Sequence, residues 1–418
     1  MHPNGPPTMI LVLAIMLCVV AVIEWMAFRL VKRRWDSKDW WKLVGRVWIV
    51  MTIVLWACFT TSMVNYSDWS VRLPSLVACF SSAFFVNLFP KLILASFQIL
   101  DDVRYLGAAI FKKAKVTKPS NPIPRASFLN YVGAGVAAVT FGAIFQGVVW
   151  GKYAYRVENV KVPLPNLPDA FKGLRIVQIS DAHLGSFIGQ PQKVLDALKT
   201  VNELKADMIL FTGDLVNSTA GEAESWIAAF AELKAPMGKY SIMGNHDYAE
   251  YGEFAPGESE ASVKRLHEIH SEMGFHLMLD EHVHFEASDG SKIVLAGVEN
   301  WGRNFGKKGD LKKALAGSDS ENLTTILMSH DPNHYEDEVM NGLAPVDLTL
   351  SGHTHGMQMG IKIEWLGIDY SPVSMFYKRW GGLYKDGSQF LHVNRGFGVL
   401  AFRGRIGMPP EITVLELV

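Results

Sequence analysis

Apolar positions are distributed unevenly along the 418 residues. The first 150 carry four long apolar runs, at about 9–28, 43–63, 73–100 and 128–150. Each is long enough to cross a bilayer as a helix. The first is broken only by Glu24, and the second has Arg46 near its start. Pro90-Lys91 interrupts the third, which predicts a kinked or over-long helix. From about residue 172 the pattern changes to short β-prone stretches, with helical spacing between the first three, as in Val194, Leu195, Ala197, Leu198 and Val201. Strand, helix and strand in alternation predict an α/β layered domain. Residues 282–298 read as a hairpin turning at Asp289-Gly290, and strands at 390–394 and 412–417 close the domain.

Each β-prone stretch runs into metal-ligand residue types. Residues 174–180 lead to Asp181 and His183, and residues 208–212 lead to Gly213-Asp214. Residues 240–243 lead to Gly244-Asn245-His246-Asp247, and residues 325–329 to His330-Asp331. Residues 346–351 end at Gly352-His353-Thr354-His355-Gly356. Ligands of open α/β sheets gather at the carboxyl ends of strands, so these five ends converge on one site. Carboxylate and imidazole together suit hard or borderline divalent ions. Two such ions about 3.5–4 Å apart clamp the attacking and leaving oxygens of a phosphoryl displacement. His267, His270, His276, His282, His284, His334 and His392 stand in no such motif and read as surface or satisfied core histidines.

Charge and composition narrow the classes. A net charge of -1 argues against a nucleic-acid binder that works by neutralising phosphates, so no nucleic-acid partner is expected. Hydrophobic residues make up 49% of the chain, and the mean hydropathy is +0.14. Cys18, Cys58 and Cys79 all lie in the apolar runs, which excludes a disulfide framework from the soluble part. The N-terminus has no basic region and is not read as a cleaved signal. Basic residues follow the first run (Arg29, Lys32, Arg33, Arg34, Lys38, Lys42) and the third (Arg104, Lys112, Lys113, Lys115, Lys118, Arg125). The positive-inside rule makes those two loops cytoplasmic. The expected protein is therefore a multi-pass protein of the cell or inner membrane, its catalytic domain extracytoplasmic. Glu24, Arg46 and Lys91 are expected near the interface, snorkelling, with an intramembrane function as the alternative. A Pro-rich linker at 115–125 enters the fourth run, and residues 151–171 read as the linker between a 1–150 anchor and a 172–418 domain.

The ordered motifs Asp181-x-His183, Gly213-Asp214, Gly244-Asn245-His246-Asp247, His330 and Gly352-His353-Thr354-His355 resemble those of the calcineurin-like metallophosphoesterases. Within them, the chain resembles the membrane-associated branch that includes UDP-diacylglucosamine hydrolase-like enzymes. The resemblance implies a β-sandwich flanked by helices. It implies two divalent ions (Mn, Fe or Zn) and attack by a metal-bridging hydroxide on a phosphomonoester, phosphodiester or pyrophosphate. It further implies Asp181, His183 and His355 on the first metal, Asn245, His330 and His353 on the second, and Asp214 bridging. His246 takes the place of the catalytic histidine, and Asp247 that of the residue orienting it. Where that branch often has Gly-Gly after the last histidine, this chain has Gly356-Met357.

The substrate reading rests on one further stretch. Trp365, Leu366, Ile368, Tyr370, Phe376, Tyr377, Trp380 and Tyr384 are interleaved with Lys378 and Arg379. That mixture suits a surface meeting lipid headgroups, or else several of these aromatics pack in the core. The expected partners are thus the bilayer and a phosphate-ester substrate, a lipid or lipid-linked phosphate. The alternatives are a phosphodiesterase for soluble nucleotides, and a non-catalytic scaffold or transporter with a regulatory metal domain.

Overall fold

The computed structural model describes residues 6–35, 40–65, 69, 73–110, 125–187, 191–252 and 254–418. They fall into two units, one built on residues 1–64 and 79–146, the other on 65–78 and 147–418. Residues 115–124 of the expected Pro-rich linker, with Lys112, Lys113, Lys38 and Arg72, lie outside the described residues.

The first unit holds four long helices: α1 (Pro6–Trp35), α2 (Trp41–Val64), α3 (Pro74–Ile110) and α4 (Arg125–Val149). All four are long and apolar enough to cross a membrane. Pro90 does not end α3, which continues as one helix of 37 residues. One expectation is corrected here. Glu24 and Lys91 do not snorkel but pair inside the bundle at 2.8 Å. Glu24 also accepts from Trp48 Nε1 (3.1 Å), Thr52 Oγ1 (3.3 Å) and Asn87 Nδ2 (3.3 Å). Two charges that would be costly facing lipid are thus neutralised by helices α1, α2 and α3 together. Arg46 is exposed.

The second unit is a four-layer sandwich. The first sheet contains β1 (Arg156–Val162), β2 (Arg175–Ile179), β3 (Met208–Phe211), β4 (Lys239–Ser241), β5 (His276–Leu277) and β14 (Glu411–Leu417), in the order β1-β14-β2-β3-β4-β5. The second contains β6 (Glu281–Glu286), β7 (Lys292–Gly297), β8 (Thr324–Met328), β9 (Leu348–Ser351), β12 (Gly382–Asp386) and β13 (Gln389–Val393), in the order β12-β13-β9-β8-β7-β6. A separate two-stranded hairpin pairs β10 (Ile361–Ile363) with β11 (Ile368–Tyr370). The expected hairpin at 282–298 is β6–β7, with Gly290 at φ 84° in its turn. Residues 151–171 are not a free linker: β1 lies within them and runs parallel to β14.

The period of two along each strand explains the layers. Ile176, Met208, Leu210, Ile326, Met328, Leu348, Leu350 and Leu415 meet between the sheets. Their neighbours Val177, Ile179, Ile209 and Phe211 turn outward onto α5 (Pro191–Glu203) and α7 (Glu258–Glu272), the latter two elements flanking α6 (Ile227–Ala231). On the opposite side Leu327, Leu391 and Val393 pack under Leu311, Tyr335 and Val339. Strands buried on both faces read as continuous apolar runs, which is the pattern seen here. Strands β2, β3 and β4 run parallel, as do β7, β8, β9 and β13, so their carboxyl ends open on one edge of the sandwich.

Candidate metal centre

At that edge the expected ligands come together in two groups. Asp181, His183 and His355 form one, and Asp214, His330 and His353 the other. In the first, His183 Nε2 lies 3.0 Å from His355 Nε2, which lies 3.2 Å from Asp181 Oδ1. In the second, His330 Nε2 lies 3.3 Å from His353 Nδ1. Asp214 Oδ2 stands between the groups, 3.2 Å from His330 Nε2 and 3.6 Å from His183 Nε2. Asn245 is beside the second group, and its buried Oδ1 finds no hydrogen-bond partner among the described residues. An orphaned buried oxygen lining the same cavity as Asp214 and His353 suits divalent cations.

Second contacts fix the rings. His183 Nδ1–H donates to Val216 O (3.1 Å) and His330 Nδ1–H to Thr212 O (2.7 Å), leaving each Nε2 turned to its group. The His246 Nδ1–H donates to Asn217 O at 2.7 Å. Its ring stacks on Tyr251 at 4.3 Å, and the Tyr251 hydroxyl accepts from Asn245 Nδ2 at 2.8 Å. The orienting role expected of Asp247 is therefore corrected. Its carboxylate does not touch the His246 ring but accepts backbone N–H bonds from Asp214 (2.9 Å), Leu215 (2.9 Å), Val216 (3.2 Å) and Gly244 (2.9 Å). Asp247 thus frames the loop after β3.

Local backbone conformation explains the motif glycines and its cost. Asp181, His183, Asp214, His353 and His355 all sit at φ between 43° and 70°. Non-glycine residues pay about 1–2 kcal/mol each for that left-handed region, a form of strain that clusters at functional sites. A Cβ on Gly352 would collide with Ser180 Oγ and Asp181 Oδ2, and one on Gly244 with the Asp214 carboxylate. Each glycine lets one strand end approach a ligand on the next. Met357 also holds a left-handed φ of 52°, the position where the branch it resembles often has glycine.

Electrostatics sort the protonation states. Burial pushes the Asp214 carboxyl up, but the neighbouring His330 and His246 outweigh it and hold it well below the usual range. Asp181 behaves alike, burial being overcome chiefly by His355. Burial keeps His183 neutral. Burial opposes charge on His330 too, but Asp214 reverses this and raises it to about 10. Asp247 rises to about 7, through burial and then the charge of Asp214.

Sequence reasoning missed Asn217, Tyr251 and Tyr377, whose hydroxyl lies 2.9 Å from His353 Nε2. Asn217 acts through its carbonyl, which no side-chain pattern reveals. Tyr377 lies in the aromatic stretch, which offered the only signal. That stretch divides: Trp380 is buried, Tyr377 and Tyr384 are half-buried, and Trp365, Tyr370 and Phe376 are exposed. Arg379 is held by Asp386 and Glu336. Among the unassigned histidines, His270 is buried with no partner for either ring nitrogen among the described residues, so it is a core histidine rather than a ligand. A cavity of about 430 Å³ opens beside the site, lined by Asp214, His246, His353, Phe305, Met357 and Phe376 among others.

Two family models match the chain: "Probable Calcineurin-like phosphoesterase, transmembrane domain" over residues 8–152, and "Calcineurin-like phosphoesterase" over residues 174–357. An uncharacterized metallophosphoesterase of Bacillus subtilis is 33% identical over 307 residues, covering 70% of this chain and 97% of its own. A transmembrane protein with metallophosphoesterase domain from Danio rerio is 29% identical, covering 65% of this chain and 59% of the relative. The UDP-2,3-diacylglucosamine pyrophosphatase of Chlamydia muridarum is 30% identical, over 58% of this chain and 83% of that one.

Proposed function

The chain belongs to the calcineurin-like phosphoesterase family as a membrane-linked, dinuclear-metal phosphoesterase, and we propose that it hydrolyses an amphiphilic phosphate ester or pyrophosphate, a phospholipid or lipid-linked sugar phosphate. One observation carries the reading. The cavity beside Asp214, His246 and His353 has an apolar wall of Phe305, Met357, Val373, Phe376 and Leu400. A phosphate can lie at the polar end while an acyl chain or prenyl tail lies along the apolar one. The Chlamydia muridarum relative, by its name, acts on such a lipid-linked pyrophosphate.

In this reading Asp181, His183 and His355 would hold one ion, Asn245, His330 and His353 the other, and Asp214 would contribute to both. The oxygen and nitrogen donors suit Mn, Fe or Zn. Bound there, the ions neutralise phosphate charge and make water nucleophilic at neutral pH. With Nδ1 committed to Asn217 O, His246 has Nε2 for the cavity, where a proton carried on that nitrogen passes to the leaving oxygen. Tyr251 restricts the ring to that orientation. The basic loops of the sequence orient the catalytic domain outside the cytoplasm.

The test compares the full-length enzyme, in vesicles, on a lipid-embedded phosphodiester or pyrophosphate and on water-soluble nucleotide diesters. Preferential turnover of the lipid substrate is expected. Turnover of soluble nucleotides with no lipid product rejects the reading.

A further inference from the structure

The β10–β11 hairpin leaves the sandwich and exposes an apolar tip that the fold does not use. Trp365 is 83% exposed, and Ile361, Leu366 and Ile368 are exposed beside it. Met375 and Phe376, which follow the hairpin, are 71% and 68% exposed. Scattered exposed apolar residues are ordinary; seven within sixteen positions, three of them aromatic (Trp365, Tyr370, Phe376), mark an interaction surface. Two of the hairpin's charges pair with the body of the domain. Lys362 pairs with Glu158 at 3.5 Å, and Asp369 with Arg395 at 3.2 Å, both on the body of the domain.

Backbone bonds within this unit locate the root of the hairpin. Gly147 lies in the last turn of the fourth candidate span, Tyr131–Val149, and belongs to the same unit as the hairpin. Its carbonyl accepts from Arg405 N at 3.1 Å. The next residue, Ile406, accepts from Gly360 N at 2.9 Å and donates to Gln358 O at 2.8 Å, and Gly360 leads directly into β10. Two neighbouring backbone links, each about 4.8 Å across, put the root of the hairpin within about 10 Å of the end of a membrane span. Close packing supports the link: a Cβ on Gly147 would meet Arg405 O at 2.6 Å.

We propose that the hairpin and the Met375-Phe376 segment form a monotopic membrane-inserting element, with Trp365 and Leu366 seated in the lipid interface. The occupant is the bilayer that the spans already cross. Trp favours that interface, and the pairing of Lys362 and Asp369 with the domain body offsets two of the charges near it. Phe376 lines the cavity as well, so the proposed inserted surface meets the catalytic edge at that residue. The inference rests on membrane anchoring and does not require that the substrate be a lipid.

The experiment places a nitroxide at position 365 (Trp365→Cys) in full-length protein whose Cys18, Cys58 and Cys79 are changed to alanine. The protein is reconstituted in phosphatidylcholine–phosphatidylglycerol vesicles. Retained turnover of a soluble aryl phosphodiester certifies the fold. At position 365 collision with oxygen should exceed collision with an aqueous nickel chelate, corresponding to about 5–10 Å of burial. The opposite balance is expected at a Lys199→Cys control on exposed α5. Nickel access at 365 equal to that at 199 overturns the proposal, as does shielding from both reagents, which would mean that a second copy covers the tip. A second readout avoids labelling: in vesicles with brominated acyl chains, Trp365→Phe should lose part of the bromine-quenchable fluorescence. An unchanged quenchable fraction also overturns it. Since depth is read without turnover, failure of the lipid-substrate reading leaves this result standing, and the reverse.

Discussion

Replacing Asp247 by asparagine separates its framing of the β3 loop from any direct part in orienting His246. The carboxylate is fully buried and accepts four backbone N–H bonds at 2.9–3.2 Å. Asparagine keeps the volume but offers one oxygen, so two of those donors face an NH₂ instead. Each buried donor left without an acceptor costs about 1–3 kcal/mol, a gross loss of about 2–6 kcal/mol. Removing a charge that Asp214 repels returns part of this, leaving about 2–4 kcal/mol. At 1.4 kcal/mol per decade, local opening of residues 213–217 becomes about 10²-fold more frequent. Hydrogen exchange of a peptide spanning those amides reads that change, and metal content read beside it should fall because Asp214 stands on the loop. Activity of Asp247→Asn should drop further than that of His246→Ala. Had Asp247 acted only through His246, the Asp247→Asn/His246→Ala double variant would match His246→Ala, with wild-type exchange and full metal. That outcome refutes the framing argument.

His246→Ala should retain two ions while losing about 10²–10⁴-fold in rate, whereas Asp214→Asn and His353→Ala should lose both activity and metal by elemental analysis; at most one ion in an active enzyme contradicts the assignment. Burial lowers His270 to about 3 and His392 to about 4, so their stabilising effect is complete above the unfolded value near 6.5 and is lost as pH falls from there toward 4. Thermal unfolding should show that acid limb, and His270→Phe should flatten it and raise stability by about 1 kcal/mol at neutral pH, since two unpaired nitrogens disappear. Met357→Gly relieves about 1–2 kcal/mol of left-handed strain but adds about 0.5–1 kcal/mol of chain entropy, so Tm should hold or rise by a few degrees while KM for a lipid-embedded substrate rises. Protease added to intact spheroplasts should cleave beyond Trp150; cleavage only after lysis reverses the orientation.

The sequence by itself determined the layers and the chemistry. Apolar run length marked the four spans, because a bilayer has a fixed thickness. Short, nearly continuous apolar stretches marked the central strands, because both faces of those strands are buried. Asp181, His183, Asp214, His330, His353 and His355 were legible because each directly follows a strand, and parallel strands deliver their carboxyl ends to one edge. Tertiary structure alone decided three things. It paired Glu24 with Lys91, because two charges 67 positions apart are neutralised only when their helices pack. It gave Asp247 to four backbone amides and His246 to the carbonyl of Asn217, because hydrogen bonds to main chain leave no mark in residue type. And it divided the aromatic stretch into a packed half and an exposed half, because burial depends on which neighbours arrive from β13 and from the 402–408 loop, and these are close in space but not in sequence.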